Sequence, residues 1–171
     1  MSDFVNVAGL VEESIVDGPG LRFVIFVQGS PHGCAGCHNP DTHPFGTGRD
    51  ISVDDLYQKI RANPMIKGVT FSGGEPFCQA GPLARLGEKL RRDGYNVFLY
   101  SGYTMEELLT RAKHDADTYS LLSVGNDLVD GPFVAEERDL SLSFRGSRNQ
   151  KIYDITCFPN SKRVFVSDEF K

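Results

Sequence analysis

Cysteine is scarce in this 171-residue chain. There are four, too few and too unevenly spaced for the disulfide framework of a small secreted domain. Positive charge is in deficit: 18 Lys and Arg against 23 Asp and Glu give a formal net charge of −5. That argues against the basic face a nucleic-acid binder needs. No apolar run approaches the ~18 residues that would mark a membrane span. The first residues carry Asp3 and no basic stretch, so no secretory signal is expected. Repeats, low-complexity tracts and long linkers are also missing. What remains is a globular composition, 40% hydrophobic, at a length suited to one domain spanning residues 1–171 with one core. The expected location is a reducing cytoplasm. There, a close pair such as Cys34 and Cys37 binds metal or does redox work more readily than it forms a disulfide.

The chain reads as strand and helix in alternation. Residues 22–28 contain the continuous apolar run Phe23, Val24, Ile25, Phe26, Val27, which suits a strand buried on both faces. Ser52 and Asp55 form a capping-box-like start, with Asp in place of the usual Glu, for a helix carrying Val53, Leu56 and Ile60. Residues 69–71 form a short strand ending in glycines. Leu83, Leu86 and Leu90 recur at helical spacing, and Gly94 supplies a stop. Residues 97–100 are a strand. Thr104 and Glu107 are a capping box opening the helix of Leu108 and Leu109. Residues 127–130 are the next strand, with weaker candidates at 152–155 and 164–166. Alternation of this kind predicts an α/β fold built from parallel βαβ units. The sheet either opens as a doubly wound sheet or curls toward an incomplete barrel. In both, sites gather at the C-terminal ends of the strands.

Several motifs sit at such ends. After the first long strand comes Gly29-Ser30-Pro31-His32-Gly33-Cys34-Ala35-Gly36-Cys37-His38-Asn39. Thiolates are soft ligands that hold iron–sulfur clusters well, and the glycines let backbone fold tightly around one. Two cysteines in a glycine-rich turn also suit zinc, or nothing at all. Gly73-Gly74-Glu75-Pro76 closes the next strand, and Tyr100-Ser101-Gly102-Tyr103 the one after. Leu128-Val129-Asp130-Gly131-Pro132-Phe133 closes a fourth, and Arg145-Gly146-Ser147-Arg148-Asn149-Gln150 follows. Glycines at a strand end admit a ligand close to the backbone. Each motif alone has a plainer reading: a turn for Gly-Gly-Glu-Pro, a capping carboxylate for Asp130, an ordinary polar loop for residues 145–150.

With a thiol at residue 30 the cysteine spacing would be C-x3-C-x2-C. In joint order and spacing, the motifs from about residue 4 to residue 155 resemble the activating proteins of anaerobic ribonucleoside-triphosphate reductase, small glycyl-radical activases of the radical S-adenosylmethionine superfamily. The resemblance implies a partial (β/α) barrel, a [4Fe-4S] cluster and S-adenosylmethionine as cofactors, and an oxidoreductase-type activating enzyme. Cys34 and Cys37 would be metal ligands, with Ser30 at the position of the absent third cysteine. Gly36, Cys37 and His38 would approach the adenine, although His38 also reads as an exposed loop residue. Gly73, Gly74 and Glu75 would take the methionine ammonium, and Ser101 and Asp130 would stand as further cofactor contacts. The implied partners are the large reductase subunit, in whose C-terminal loop a glycine loses an α-hydrogen, and a reduced flavodoxin-like electron donor. Arg145, Arg148, Asn149 and Gln150 would dock the partner or finish the cofactor site.

Ser30 departs from the pattern. Its hydroxyl is a harder donor than a thiolate and far less acidic than a thiol, whose free pKa is ~8.5. Three readings stand: a substitution that impairs a parent site, a variant that recruits another ligand, or a relic without a cluster. The intact remaining motifs favour the first. Cys78, after the Gly-Gly-Glu-Pro turn, is the best candidate for the second, against its plainer reading as a small buried apolar residue. Cys157 falls outside every motif. The rival functions are activation of another glycyl-radical enzyme, or a cluster-free binding module.

Overall fold

The structure is a computed structural model and describes residues 3–32, 45, 47–139, 141–158 and 165–166. One mixed eight-stranded sheet organises it, in the order β3-β1-β2-β4-β5-β6-β7-β8. Its centre is the parallel set β2 (Arg22–Val27), β4 (Gly68–Gly73), β5 (Asn96–Tyr100) and β6 (Asp127–Val129). Antiparallel strands flank it: β1 (Phe4–Ser14) and β3 (Arg49–Ser52) on one side, β7 (Ile152–Asp154) and β8 (Phe165–Val166) on the other. The parallel strands follow chain order with no reversal, unlike a doubly wound sheet.

The helices form where the sequence supplies caps and apolar spacing. In α1 (Val53–Arg61), Ser52 Oγ accepts the Asp55 N–H at 3.0 Å. Asp54 and Asp55 open it and Lys59 and Arg61 close it, each sign favourable to the helix dipole. In α3 (Met105–Ala112), Thr104 and Glu107 make both bonds of the capping box. The leucine spacing becomes α2 (Ala80–Arg92), with Leu83, Leu86 and Leu90 fully buried. The buried helix side chains pack with Phe23, Ile25, Val27, Val69, Phe71, Val97, Leu99 and Leu128 in one core. These are alternate residues of the four parallel strands, so the helices cover one face of the sheet.

Three elements escaped the sequence reading. β1 is the longest strand, yet only Val5 and Val7 at its start alternate into the core, and two irregularities interrupt its pairing. β3 is only four residues long. In α4 (Ala116–Val124), Asp115 caps through the Asp117 N–H. Its sequence, ADTYSLLSV, is poor in strong helix formers, so tertiary packing against α2 and α3 decides it. Gly87 of α2 shows how close that packing is: a Cβ there would meet Val124 Cγ2 at 2.6 Å.

The other face of the parallel strands is mixed. Arg22, at the start of β2, is 2% exposed. Its guanidinium donates to Thr70 Oγ1 at 2.8 Å, to the Pro19, Val69 and Asn96 carbonyls at 2.8, 3.0 and 3.0 Å, and to Asn96 Oδ1 at 2.8 Å. Burial pulls its pKa down to about 10, with Asp127 and Tyr100 opposing. Nearer the strand ends, Phe98, Val129 and Ile152 form a small second cluster with Tyr100 and Phe144.

Candidate functional site

The C-terminal ends of β2, β4 and β5 are tied into one rim. The Gly74 N–H donates to the Val27 carbonyl at 2.8 Å, and the Glu75 N–H to the Gly29 carbonyl at 2.7 Å. Gly73 lies at φ 96°, and a Cβ there would stand 2.5 Å from the Val27 nitrogen. Only glycine meets both the left-handed backbone and the close strand approach.

Glu75 is fully buried and saturated by protein donors. Its carboxylate accepts the Phe77 N–H at 3.0 Å, the Gly102 N–H at 2.8 Å and the Ser101 hydroxyl at 3.0 Å to either oxygen. His32 Nε2 approaches Oε1 at 2.6 Å. A carboxylate only accepts, so Nε2 is the donor. The carboxylate therefore braces the rim from behind, where the sequence reading had it receiving the methionine ammonium.

A cavity of about 390 Å³ opens on the mixed face of the sheet at this rim. Ser30, Ser72, Gly73, Gly74 and Ser101 line its strand-end side. Phe144, Arg145 and Gln150 also line it, and Asp17 reaches it from the loop after β1. Ser30 is half-buried, and its Oγ accepts the His32 N–H at 3.2 Å. The volume falls within the ~300–1,000 Å³ of small-molecule sites. Serine hydroxyls, glycine backbone and one charge of each sign suit a polar ligand carrying both charges.

Of the expected site residues, Ser30, Gly73, Gly74 and Ser101 meet at this cavity. Cys34, Gly36, Cys37 and His38 lie outside the described residues. Asp130 takes its plainer reading: it is 6% exposed and accepts the Met105 N–H at 2.9 Å and the Lys151 N–H at 3.0 Å, so it braces the start of α3. Burial pushes its carboxyl pKa up, against the pull of those bonds.

The polar run at 145–150 divides. Arg145 and Gln150 line the cavity, whereas Arg148 is exposed. Gln150 Oε1 accepts the Gly146 and Ser147 N–H groups, and Asn149 Nδ2 donates to the Pro132 carbonyl at 2.8 Å, so both shape their own loop. Tyr100 anchors this loop by donating to the Phe144 carbonyl at 2.7 Å, and burial raises its pKa. Cys78 is exposed, not buried, and stands outside the cavity wall. Burial of part of its thiol and the nearby Glu75 raise its pKa, which leaves it a poor substitute ligand.

Sequence reasoning gave no role to His32, Gly102 or Asp17. The signal for His32 was its place between Ser30 and Cys34. For Gly102 it was a glycine beside a strand-end serine. For Asp17 it was a place in the segment Glu13-Ser14-Ile15-Val16-Asp17-Gly18-Pro19-Gly20-Leu21-Arg22 that leads into β2.

The family model of the 4Fe-4S single cluster domain matches residues 16–153. The solved structure of QueE from Escherichia coli aligns with a TM-score of 0.47 at 22% identity, over 59% of this chain and 53% of that one. Among curated relatives, the anaerobic ribonucleoside-triphosphate reductase-activating protein of Vibrio cholerae is 34% identical over 83% of this chain and 93% of its own length. The protein of the same name from Escherichia coli K12 is 32% identical over 82% and 93%. The rim motifs and near-complete overlap with these relatives agree: the chain belongs to the anaerobic ribonucleoside-triphosphate reductase-activating proteins, and a 4Fe-4S single cluster domain makes up most of it.

Proposed function

We propose that this single domain is a radical S-adenosylmethionine activase that generates a glycyl radical on anaerobic ribonucleotide reductase, impaired in this form by Ser30. The observation that carries the reading is the polar cavity of about 390 Å³ at the ends of the parallel strands, with Ser30 in its wall. The chain-order strand sequence favours a partial barrel over a doubly wound sheet.

Cys34 and Cys37 would hold the cluster, with residue 30 as the third position. Two thiolates suit iron and sulfide; the serine oxygen is the weak member of the set. When bound, the cluster and the sulfonium cofactor supply one-electron chemistry that ends in removal of a hydrogen atom from a glycine α-carbon. The chain's own residues do the placing. Gly73 and Gly74 bring backbone to the ligand. Ser101 and Ser72 offer hydroxyls. Arg145 and Asp17 bring opposite charges to the cavity wall. Glu75 and Asp130 hold the rim and the start of α3 in position. The electron comes from a reduced flavodoxin-like carrier, the substrate is the glycine loop of the large reductase subunit, and the setting is the cytoplasm.

Anaerobic loading with iron and sulfide tests this. The Ser30→Cys form is expected to hold a cluster and cleave the cofactor reductively, and the Ser30 form to hold iron poorly. With the reductase present, Ser30→Cys should yield a glycyl radical signal in electron paramagnetic resonance. Cleavage without that signal would redirect the activase to another glycyl-radical enzyme. Iron uptake by neither form would leave a cluster-free binding module.

A further inference from the structure

Glu75 draws donors from three separate segments. One is its own turn, through Phe77. The second is the end of β5, through Ser101 and Gly102. The third is the loop after β2, through His32. The first two brace adjacent strands of a finished sheet. The third reaches into the loop that leads to Cys34.

The pocket for the imidazole is built rather than incidental. The His32 ring stands edge-on to Tyr103, centroids 4.6 Å apart at 79°. Gly102 also stands against the ring, and any Cβ there would overlap His32 Cδ2. Gly102 is not in a left-handed conformation, so the ring, and not the backbone, explains the missing side chain. His32 is 15% exposed at its side chain against a partner that is fully buried. Its own N–H donates to Ser30 Oγ, so the anchored residue also orients the side chain standing at the third ligand position.

We propose that His32 is a positioning residue whose hydrogen bond to Glu75 fixes the start of the cluster-bearing loop and, through its backbone, the side chain of residue 30. This rests on reading residues 30–37 as the cluster loop. Outer-shell bonds of this kind hold ligands in register, and their loss costs about 10–100-fold in metal affinity.

The test has an arm that needs no cluster. In the full-length apo chain, His32→Ala should speed amide hydrogen exchange at Gly29, Ser30 and residue 32 by about tenfold or more while exchange in α2 and β5 stays unchanged. Gly102→Ala, which displaces the ring, should do the same. His32→Gln, whose amide N–H can reach Glu75, should return exchange to within about twofold of the parent. In the Ser30→Cys background, His32→Ala should lose iron to a chelator about tenfold more readily and broaden the cluster's electron paramagnetic resonance signal, and His32→Gln should restore both. Unchanged exchange at residues 29–32 in His32→Ala, or a His32→Gln variant no better than His32→Ala, would overturn the proposal. If Ser30→Cys takes up no iron, the function proposed above falls, while the apo exchange arm still decides the role of His32.

Discussion

The two faces of the parallel strands are made from the same four segments and do opposite work. Toward the helices stand Phe23, Ile25, Val27, Val69, Phe71, Val97, Leu99 and Leu128, an unbroken apolar layer. On the other face stand Arg22, Val24, Phe26, Thr70, Ser72, Phe98, Tyr100, Asp127 and Val129, polar and apolar mixed, and Phe26, Ser72 and Tyr100 among them line the cavity. The first face is held by area removed from water, a non-directional term. The second is held by directional bonds, above all those of Arg22. A period of two separates them, so one strand supplies both stability and a place for chemistry.

Mutations on the two faces sharpen the contrast. Phe71→Ala removes a fully buried ring from the helix side and should cost about 3–5 kcal/mol in urea unfolding. Arg22→Met leaves acceptors on Thr70, Val69 and Asn96 without their donor; the expected loss is about 2 kcal/mol by the same measurement. An Arg22→Met loss exceeding that of Phe71→Ala would break the division. Tyr100→Phe frees the Phe144 carbonyl and should cost about 1 kcal/mol, together with faster proteolysis of residues 141–150. Ser52→Ala, at a half-buried cap outside the cavity wall, should cost about 0.5–1 kcal/mol with the cavity's ligand affinity unchanged.

The smallest effect is a pH slope. Burial raises the folded pKa of Asp130 above that of the unfolded chain, so the folded state binds more protons in the window between the two values. The contribution of this group is then fully present below the unfolded carboxylate value, ~3.9, and falls as pH rises through the raised folded value. Urea midpoints of the parent and Asp130→Asn should converge or cross as pH climbs through that window. A constant gap between them would remove Asp130 from the account.

Much of the scaffold was legible because local signals agreed with the tertiary outcome. The capping residues Ser52 and Thr104 and the leucines of α2 each name an element, and the apolar run of β2 names a doubly covered strand. β1 and α4 were not legible: one has its alternation broken by two irregularities in its pairing with β2, the other takes its helicity from packing on α2. At the site, Gly73 stands where β2 and β4 approach closely, while its approach to a ligand belongs to the proposed function. Glu75, and Asp130 with its capping alternative, show the limit: a sequence gives a carboxylate's position in the chain but not which protein donors it meets.

From its order of residues alone, this protein had its alternating α/β plan, its strand-end motifs and its kinship with the reductase activases, since periodicity, caps and motif spacing are local properties of the chain. Tertiary structure decided which side chains face the cavity and which stand behind it. His32, Glu75, Ser101 and Gly102 come from three loops far apart in sequence, and only the pairing of β2, β4 and β5 brings their donors to one carboxylate.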